Sequence, residues 1–403
     1  MSCDLTGQPA GSRRMLVTIH HHLDRNSGAP GTTMAFADAA AAAGFVVELL
    51  SHDSLPRLLQ GRIALLSFPL LVLWRAIRGS RLGDGKRIAF DWVDASAGDA
   101  WLLGLIPEAL RPPMSFRSHG LEHVEHDNLM KQLARRQATV SWRYYCFRGS
   151  IHLRLIASQM CRSRFCWLLN RREVAKAQQL GVPPGAARLV PNGVDLGVPQ
   201  RIAHDVPAPD SPATIAFIGA WISRKGIAEL TEALVAVMAS HPPTRALLLG
   251  TQKSPDEVLA DFPPALRPRI RVLPRFDRAD LADLLRGVAL GVLPSRCEGF
   301  GIAALDMMAQ GVPTIVSDAC GVADHLNPGH EVLVTPACDA NHLQAAMLDL
   351  LHDGSKRSRI ALAGAAATAR FAKPDVFDNQ IALVASSLAL QVPISRLCEV
   401  RMP

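Results

Sequence analysis

At 403 residues the chain exceeds what one hydrophobic core usually organises, so two domains of nearly equal size, with a cleft, are expected. Its composition, 49% apolar and 20% charged, is that of an ordinary globular protein and excludes global disorder. The formal charge of +7 is uneven: residues 1–200 hold 24 Lys and Arg against 15 Asp and Glu, which suits that half to an anionic partner, whether lipid, phosphorylated acceptor or nucleic acid.

The opening MSCDLTGQPAGSRR has no apolar h-region, so no cleaved secretory signal is expected. MLVTIHHHL reads as a buried strand, and the polar Gly/Pro loop 24–33 with Gly28 and Gly31 follows it. A helix then closes at Gly44 before the strand FVVELLS. The apolar run 63–74 is interrupted by Pro69 and flanked by Arg62 and Arg75; it is too short for a bilayer, which takes about 20 residues. RIAFDWVDA and PMSFRSH alternate with helical stretches up to LVPNGV, the pattern of a parallel sheet covered by helices. Within this half, residues 131–176 carry eleven Lys and Arg and the single acid Glu173, interleaved with Trp142, Tyr144, Tyr145, Phe147 and Trp167. That segment either meets anionic lipid or stays a solvated basic face.

Domain limits follow from the same pattern. An N-terminal domain is expected over 1–196, a Pro-rich linker over 197–212, a second doubly wound domain over 213–370, and a terminal helix over 371–403. The second domain restarts with TIAFIGA and continues through RALLLG, IRVLP, ALGVLPS and PTIVSD. The eight cysteines show no CxxC pair and read as reduced thiols of a cytoplasmic protein.

The segment ALGVLPSRCEGFGIAALDMMAQGVPTIVSD carries the most chemistry. A strand stops at Pro294, Ser295 and Glu298 follow, and Gly299 and Gly301 allow a close backbone approach where a helix begins. The free amides of that helix start suit a phosphate. Asp306 lies on the same helical face as Ile302 and is a lone carboxylate among apolar neighbours, so it requires a donor that the local sequence does not supply. Vicinal sugar hydroxyls would serve; contact with solvent or a neighbouring loop is the alternative.

FIGAWISRKGIAEL places Arg224 and Lys225 between Gly219 and a helix, where two cations would neutralise a diphosphate, or else form a solvated basic loop. In the first half, His119 ends a strand before Gly120, and His20, His21 and His22 end another. The spacing of His119, His123 and His126 is not that of HExxH, so no metal is expected there. No GxxxxGK[ST] or GxGxxG stands where a phosphate loop would be, which argues against a nucleotide triphosphatase and a typical dehydrogenase.

Together RSHGLEH, LVPNGVD, FIGAWISRKG, VLPSRCEGFGIAALDMMAQGVPTIVSD and the terminal helix resemble glycosyltransferase family 4. The resemblance implies a GT-B fold, an α/β arrangement of two facing Rossmann-like domains with the last helix returning to the first. It implies a retaining hexosyl-type transferase that uses a nucleotide sugar as substrate and needs no cofactor or metal. By this resemblance Glu298 binds hydroxyls of the donor sugar, Asp306 the ribose diol, and the amides of Phe300, Gly301 and Ile302 the sugar and diphosphate. Arg224 and Lys225 fall in the basic diphosphate loop, His119 beside the transferred sugar. Gly219, Ser295, Gly299 and Asn192 complete the donor side, and Gly28, Gly31 and His20 the acceptor side.

Two positions depart from the family pattern: Asp306 stands where Glu is usual, and Ala220 where an arginine often follows the FIG glycine. The implied reaction is a front-face transfer in which the leaving diphosphate helps deprotonate the acceptor, since no carboxylate is placed as a glycosyl nucleophile. The expected partners are the donor, a glycan or lipid-linked acceptor and an anionic membrane surface on the cytoplasmic side, with no nucleic acid. A sugar-nucleotide epimerase and a catalytically degenerate nucleotide-sugar-binding subunit are the alternatives.

Overall fold

The computed structural model describes residues 13–25, 28–81, 87–135, 139–193 and 212–390. The chain divides into two compact units, unit 1 comprising Met1–Gly193 with Lys373–Pro403, and unit 2 comprising Val194–Ala372. The expected linker 197–212 lies outside the described residues except for Pro212.

Unit 1 begins with strand β1 (Arg14–Ile19), helix α1 (Gly28–Ala42) and strand β2 (Val46–Ser51). Helix α2 (Ala64–Arg78) precedes a short antiparallel pair, β3 (Ser80–Arg81) and β4 (Arg87–Ile88). Next come β5 (Trp92–Ser96), α3 (Trp101–Gly104), β6 (Met114–Arg117) and α4 (Glu122–Ala134). A π-helical stretch Tyr144–His152 runs into α5 (Leu153–Cys161), and β7 (Phe165–Leu168), α6 (Arg171–Gln179) and β8 (Ala187–Leu189) complete the sequence before Gly193. The six long strands form one parallel sheet in the order β2-β1-β5-β6-β7-β8. The order reverses between β1 and β5, and this is the switch point where an open sheet opens a crevice at its carboxyl edge.

Alternation explains the burial of this sheet. Met15 and Val17 of β1 pack on one face with Phe36 of α1, Trp92 and Trp167, whereas Leu16 packs on the other with Phe68 and Val72 of α2. The final helix, α13 (Lys373–Leu390), belongs to the first of these clusters through Phe377, Ile381 and Val384, with the Phe36 and Phe377 rings 5.7 Å apart, edge to face. A buried polar network ties the same helix to the sheet. The Arg117 guanidinium donates to Asp94 at 2.7 Å and to the Gln380 amide oxygen at 3.0 Å. Ser115 and Trp167 also donate to Asp94, so its charge is compensated inside the core.

Unit 2 repeats the plan with β9 (Thr214–Ile218), α7 (Ile227–Ser240), β10 (Arg245–Leu249), α8 (Pro255–Leu259), β11 (Ile270–Leu273) and α9 (Leu281–Leu284). It continues through β12 (Val288–Leu293), α10 (Ile302–Ala309), β13 (Thr314–Ser317), β14 (Leu333–Thr335), α11 (Ala340–His352) and α12 (Gly354–Thr368). Its parallel sheet has the order β11-β10-β9-β12-β13-β14, with the switch point between β9 and β12.

Three expectations are corrected. The loop 24–33 is shorter than its composition suggests, because α1 starts at Gly28 and includes Gly31, whose bare Cα lets the Arg25 carbonyl approach. RIAFDWVDA is two strands, β4 and β5, interrupted at 89–91. Trp167 does not reach the surface with the other aromatics of 131–176: it is wholly buried and stacks on Phe165 at 5.1 Å, since β7 is an interior strand.

Candidate functional site

In unit 2 the polar residues gather at the carboxyl ends of β9 and β12. Gly226, at φ +72°, links the turn after β9 to α7, and a Cβ there would lie 2.0 Å from the Pro294 carbonyl oxygen, so only glycine permits the close approach. Arg296 locks the two loops together: its amide donates to the Arg224 carbonyl at 2.9 Å, and its guanidinium grips Glu229 of α7 at 2.7 Å. Arg296 and Glu229 carry no distinctive spacing in the sequence, and their pairing is visible only once the loops are folded.

This framework places Lys225 Nζ 2.5 Å from Glu298 Oε2, with Arg224 Nη1 3.6 Å from the same oxygen. Ser295, fully buried, donates to that oxygen at 3.2 Å. Arg224 also donates to the Cys297 carbonyl at 3.0 Å, and Gly219 lies against the Lys225 stem. Burial by itself would raise the Glu298 carboxyl. The attraction of Lys225 and Arg224 and the hydrogen bonds from Lys225 and Ser295 outweigh it, so the group stays below the ordinary range and is ionised at neutral pH. Its backbone is fixed too, because the Glu298 amide donates to the Ala319 carbonyl at 3.1 Å and its carbonyl accepts from Gly321.

Gly299 and Phe300 lead from Glu298 into α10. The Phe300 ring is buried against His325 and Phe371, at 5.4 and 6.0 Å, which anchors the turn. Gly301 caps the helix at φ +103°, left-handed backbone that a side chain resists. The first amides of α10, among them that of Ile302, have no carbonyl partner within the helix and give its amino end positive character.

Asp306, on the second turn of α10, has the donor that its neighbours in sequence lack. Arg278, in the turn after β11, pairs with its carboxylate. Contact with a neighbouring loop, the alternative to sugar hydroxyls, is what the fold provides; the partner is 28 residues away in sequence.

Unit 1 has its own polar cluster at the carboxyl ends of β1, β5 and β6. His20 pairs through Nδ1 with the buried Asp99 at 2.7 Å, and Thr18 donates to the other carboxylate oxygen at 2.9 Å. Burial pulls the His20 pKa down, but the Asp99 charge and hydrogen bond, with Glu122 nearby, raise it above its ordinary value. His119 Nε2 lies 3.1 Å from Ser96 Oγ and 3.2 Å from Thr33 Oγ1. Ser96 donates its proton to the Thr18 carbonyl and Thr33 to that of Ala29, so both hydroxyls present lone pairs to the ring. That assigns the proton to Nε2 and leaves the buried Nδ1 as an acceptor with no partner among the described residues. Burial first, then Arg117, His20 and His21, lower the His119 pKa to about 3, so the ring is neutral at physiological pH. Glu122 moves the opposite way, pushed by burial to about 7.

Of the other expected residues, Gly28 and Gly31 are in α1, the helix that also carries Thr33. Asn192 is buried and belongs to unit 1, whereas the other donor-side residues belong to unit 2. His126 is engaged by the Tyr144 hydroxyl at 2.8 Å. Among the described residues, one group brings three metal-type side chains together, His22, His52 and Asp53, with ligand atoms within 4.8 Å of one another on the surface.

Residues 212–353, nearly the whole described part of unit 2's sheet and helices through α11, match the family model described as glycosyl transferases group 1. Over that stretch unit 2 is similar to the group 1 glycosyltransferases. The chain resembles phosphatidyl-myo-inositol mannosyltransferase of Mycobacterium leprae, 29% identical over 201 residues, 49% of this chain and 53% of that protein. It also resembles glycogen synthase of Mycobacterium tuberculosis, 28% identical over 187 residues, 45% of this chain and 44% of that protein. The chain spans about half the length of the curated relatives it matches. Among solved structures, sucrose-phosphate synthase from Thermosynechococcus elongatus aligns at a TM-score of 0.70 with 20% identity, covering 94% of this chain and all of that one. Anabaena HepE in complex with UDP aligns at 0.66 with 16% identity, covering 93% and 100%. The fold is GT-B, an α/β architecture with a six-stranded parallel sheet in each unit.

Proposed function

We propose that the protein is a retaining glycosyltransferase that takes a hexosyl group from a nucleotide-diphosphate sugar held by unit 2. The observation that supports this most directly is the Lys225–Glu298 pair, flanked by Arg224, at the amino end of α10. A diphosphate needs fixed positive charge, and two cations with helix-end amides supply it without a metal. In this reading Glu298 and the amides of Gly299 to Ile302 bind sugar hydroxyls and phosphate oxygens, and Asp306, held by Arg278, accepts from the ribose. The donor's C1–oxygen bond to the diphosphate breaks, the acceptor oxygen bonds to C1 on the same face, and the acceptor proton passes to the departing diphosphate. Lys225 and Arg224 stabilise the charge that develops on it. His119, neutral with an acceptor nitrogen, supports the sugar and not the proton transfer.

The acceptor in this reading is a glycan or lipid-linked alcohol at the cytoplasmic face of an anionic membrane. Residues 131–176 supply basic charge toward it, with Trp142 and Tyr145 exposed. Among the described residues no helix is long and apolar enough to cross a membrane.

The test is incubation with UDP-glucose, GDP-mannose and ADP-glucose in the presence of a membrane extract. Release of nucleoside diphosphate with a product of the donor's own anomeric configuration, read by proton NMR, supports the proposal. An inverted product contradicts retention, epimerised donor supports the epimerase, and tight donor binding without turnover supports the degenerate subunit.

A further inference from the structure

Helix α2 is apolar on two sides. Phe68, Val72 and Ala76 face inward, packed with Leu16, Leu50 and Met114. Leu66, Leu70, Trp74 and Ile77 are 54%, 57%, 46% and 53% exposed. At spacings of four, four and three residues they form one stripe along the helix. The chain just before it adds the exposed Leu58, Leu59 and Ile63.

Along the chain, the charge of this stretch has one sign. No Asp or Glu occurs between Asp53 and Asp84, a stretch with five arginines. Arg57 and Arg78 are exposed, and the Arg78 guanidinium lies 5.3 Å from the Trp74 ring. Arg75 is neutralised by Glu48. Neighbouring elements carry further exposed apolar residues: α2 packs on α3, α3 on α5, and α5 continues the π-helical stretch. The exposed Leu105 and Leu110 follow α3, and Tyr145 and Ile151 are on the π-helical stretch. Among the described residues of unit 2, the large apolar side chains left exposed are Ile222 and Leu362. Four large apolar side chains exposed in one stripe along a helix are unusual on a solvated protein.

We propose that α2 is a membrane-docking helix, whose Leu66–Leu70–Trp74–Ile77 stripe enters the headgroup boundary of an anionic bilayer while Arg57 and Arg78 meet lipid phosphates. An amphipathic helix with a basic flank lies in the plane of such an interface, and a tryptophan stabilises it there. A second copy of this chain is a poorer partner, because it would set arginine against arginine. The inference differs from a purely electrostatic attachment through 131–176 in placing the insertion on apolar side chains of another element.

The experiment is flotation of the full chain with phosphatidylglycerol vesicles and with phosphatidylcholine vesicles. Wild type is expected to float with phosphatidylglycerol and far less with phosphatidylcholine, and added salt is expected to weaken the binding without abolishing it. The double variant Leu70→Glu, Trp74→Glu is expected to lose about tenfold or more of that partitioning. Leu362→Glu, an exposed leucine of unit 2, is expected to partition as wild type does. Thermal melting of the double variant close to wild type shows that folding is retained. Failure of wild type to float, equal flotation of the double variant, or a wild-type dimer in sedimentation that the double variant dissolves would each overturn the proposal. Nucleoside diphosphate binding, measured on the same samples, is expected to be unchanged in the double variant, so lipid docking and the transferase reading fail separately.

Discussion

Lys225 and Glu298 are 73 residues apart in sequence and 2.5 Å apart in the fold, joined by a charge-assisted hydrogen bond at the switch point of unit 2. Each is nearly buried, so each compensates the other's loss of water. In the proposed reading the cation assigned to the diphosphate stands beside the acid assigned to the sugar, and with Arg224 against the same carboxylate the three side chains together carry one net positive charge.

That balance predicts a change in how stability depends on pH. In wild type the Glu298 pKa is depressed, so the group contributes stability above the unfolded carboxyl value and loses it as pH falls through the folded one. In Lys225→Met the burial remains and much of the attraction goes, so the pKa rises. The loss then appears as pH increases through the carboxyl range. Denaturant melts between pH 4 and pH 8 check this. Adding Glu298→Gln to Lys225→Met should recover about 1–3 kcal/mol at pH 8, the usual scale for relieving an unpaired buried acid.

The Arg278–Asp306 pair predicts a separation of roles between the two acids. Asp306→Asn keeps the shape and one acceptor but removes the charge, and nucleoside diphosphate affinity should fall several-fold. The pair is partly exposed, so the accompanying stability loss should stay near 0.5–1 kcal/mol. Glu298→Ala should depress turnover more than nucleotide binding, because its assigned partner is the sugar. Calorimetric titration with nucleoside diphosphate on both variants decides; wild-type affinity in Asp306→Asn would remove the ribose assignment.

Much of the fold is legible because its signals are local. FIGAWISRKG and VLPSRCEGFG each run from a buried strand through a glycine turn into a helix, and periodicity with glycine placement is enough to put Lys225 and Glu298 at strand ends. The partners of these residues are not legible. Arg278 reaches Asp306, and Arg296 reaches Glu229, across 28 and 67 residues of chain. Such pairs depend on which strands lie side by side, which no local pattern encodes. The same limit hides the Asp94–Arg117–Gln380 network, where Arg117 and Gln380 are 263 residues apart. The outward stripe of α2 is hidden for another reason: a continuous apolar run shows that a helix is hydrophobic all round, and only packing reveals which side remains uncovered.

Two buried groups of unit 1 predict opposite pH responses. Glu122, raised to about 7, stays protonated in the fold while the unfolded chain ionises above the ordinary carboxylate value, so stability is lost as pH rises through this window. Glu122→Gln should stabilise the protein at pH 8 by an amount on the order of 1–3 kcal/mol. His119, lowered to about 3, stays neutral in the fold while the unfolded imidazole protonates below its ordinary value, so stability is lost as pH falls. His119→Gln should flatten the loss between about pH 6.5 and pH 4. Urea melts at a series of pH values read both effects.

The most direct test of the central claim is calorimetric titration of UDP, GDP and ADP into the full chain and into Lys225→Ala, with donor turnover followed in parallel. At least one diphosphate is expected to bind wild type, the corresponding monophosphate more weakly, and Lys225→Ala is expected to lose several-fold in diphosphate affinity while still melting cooperatively. Undiminished diphosphate affinity in Lys225→Ala, or no diphosphate binding to wild type at all, would contradict that claim.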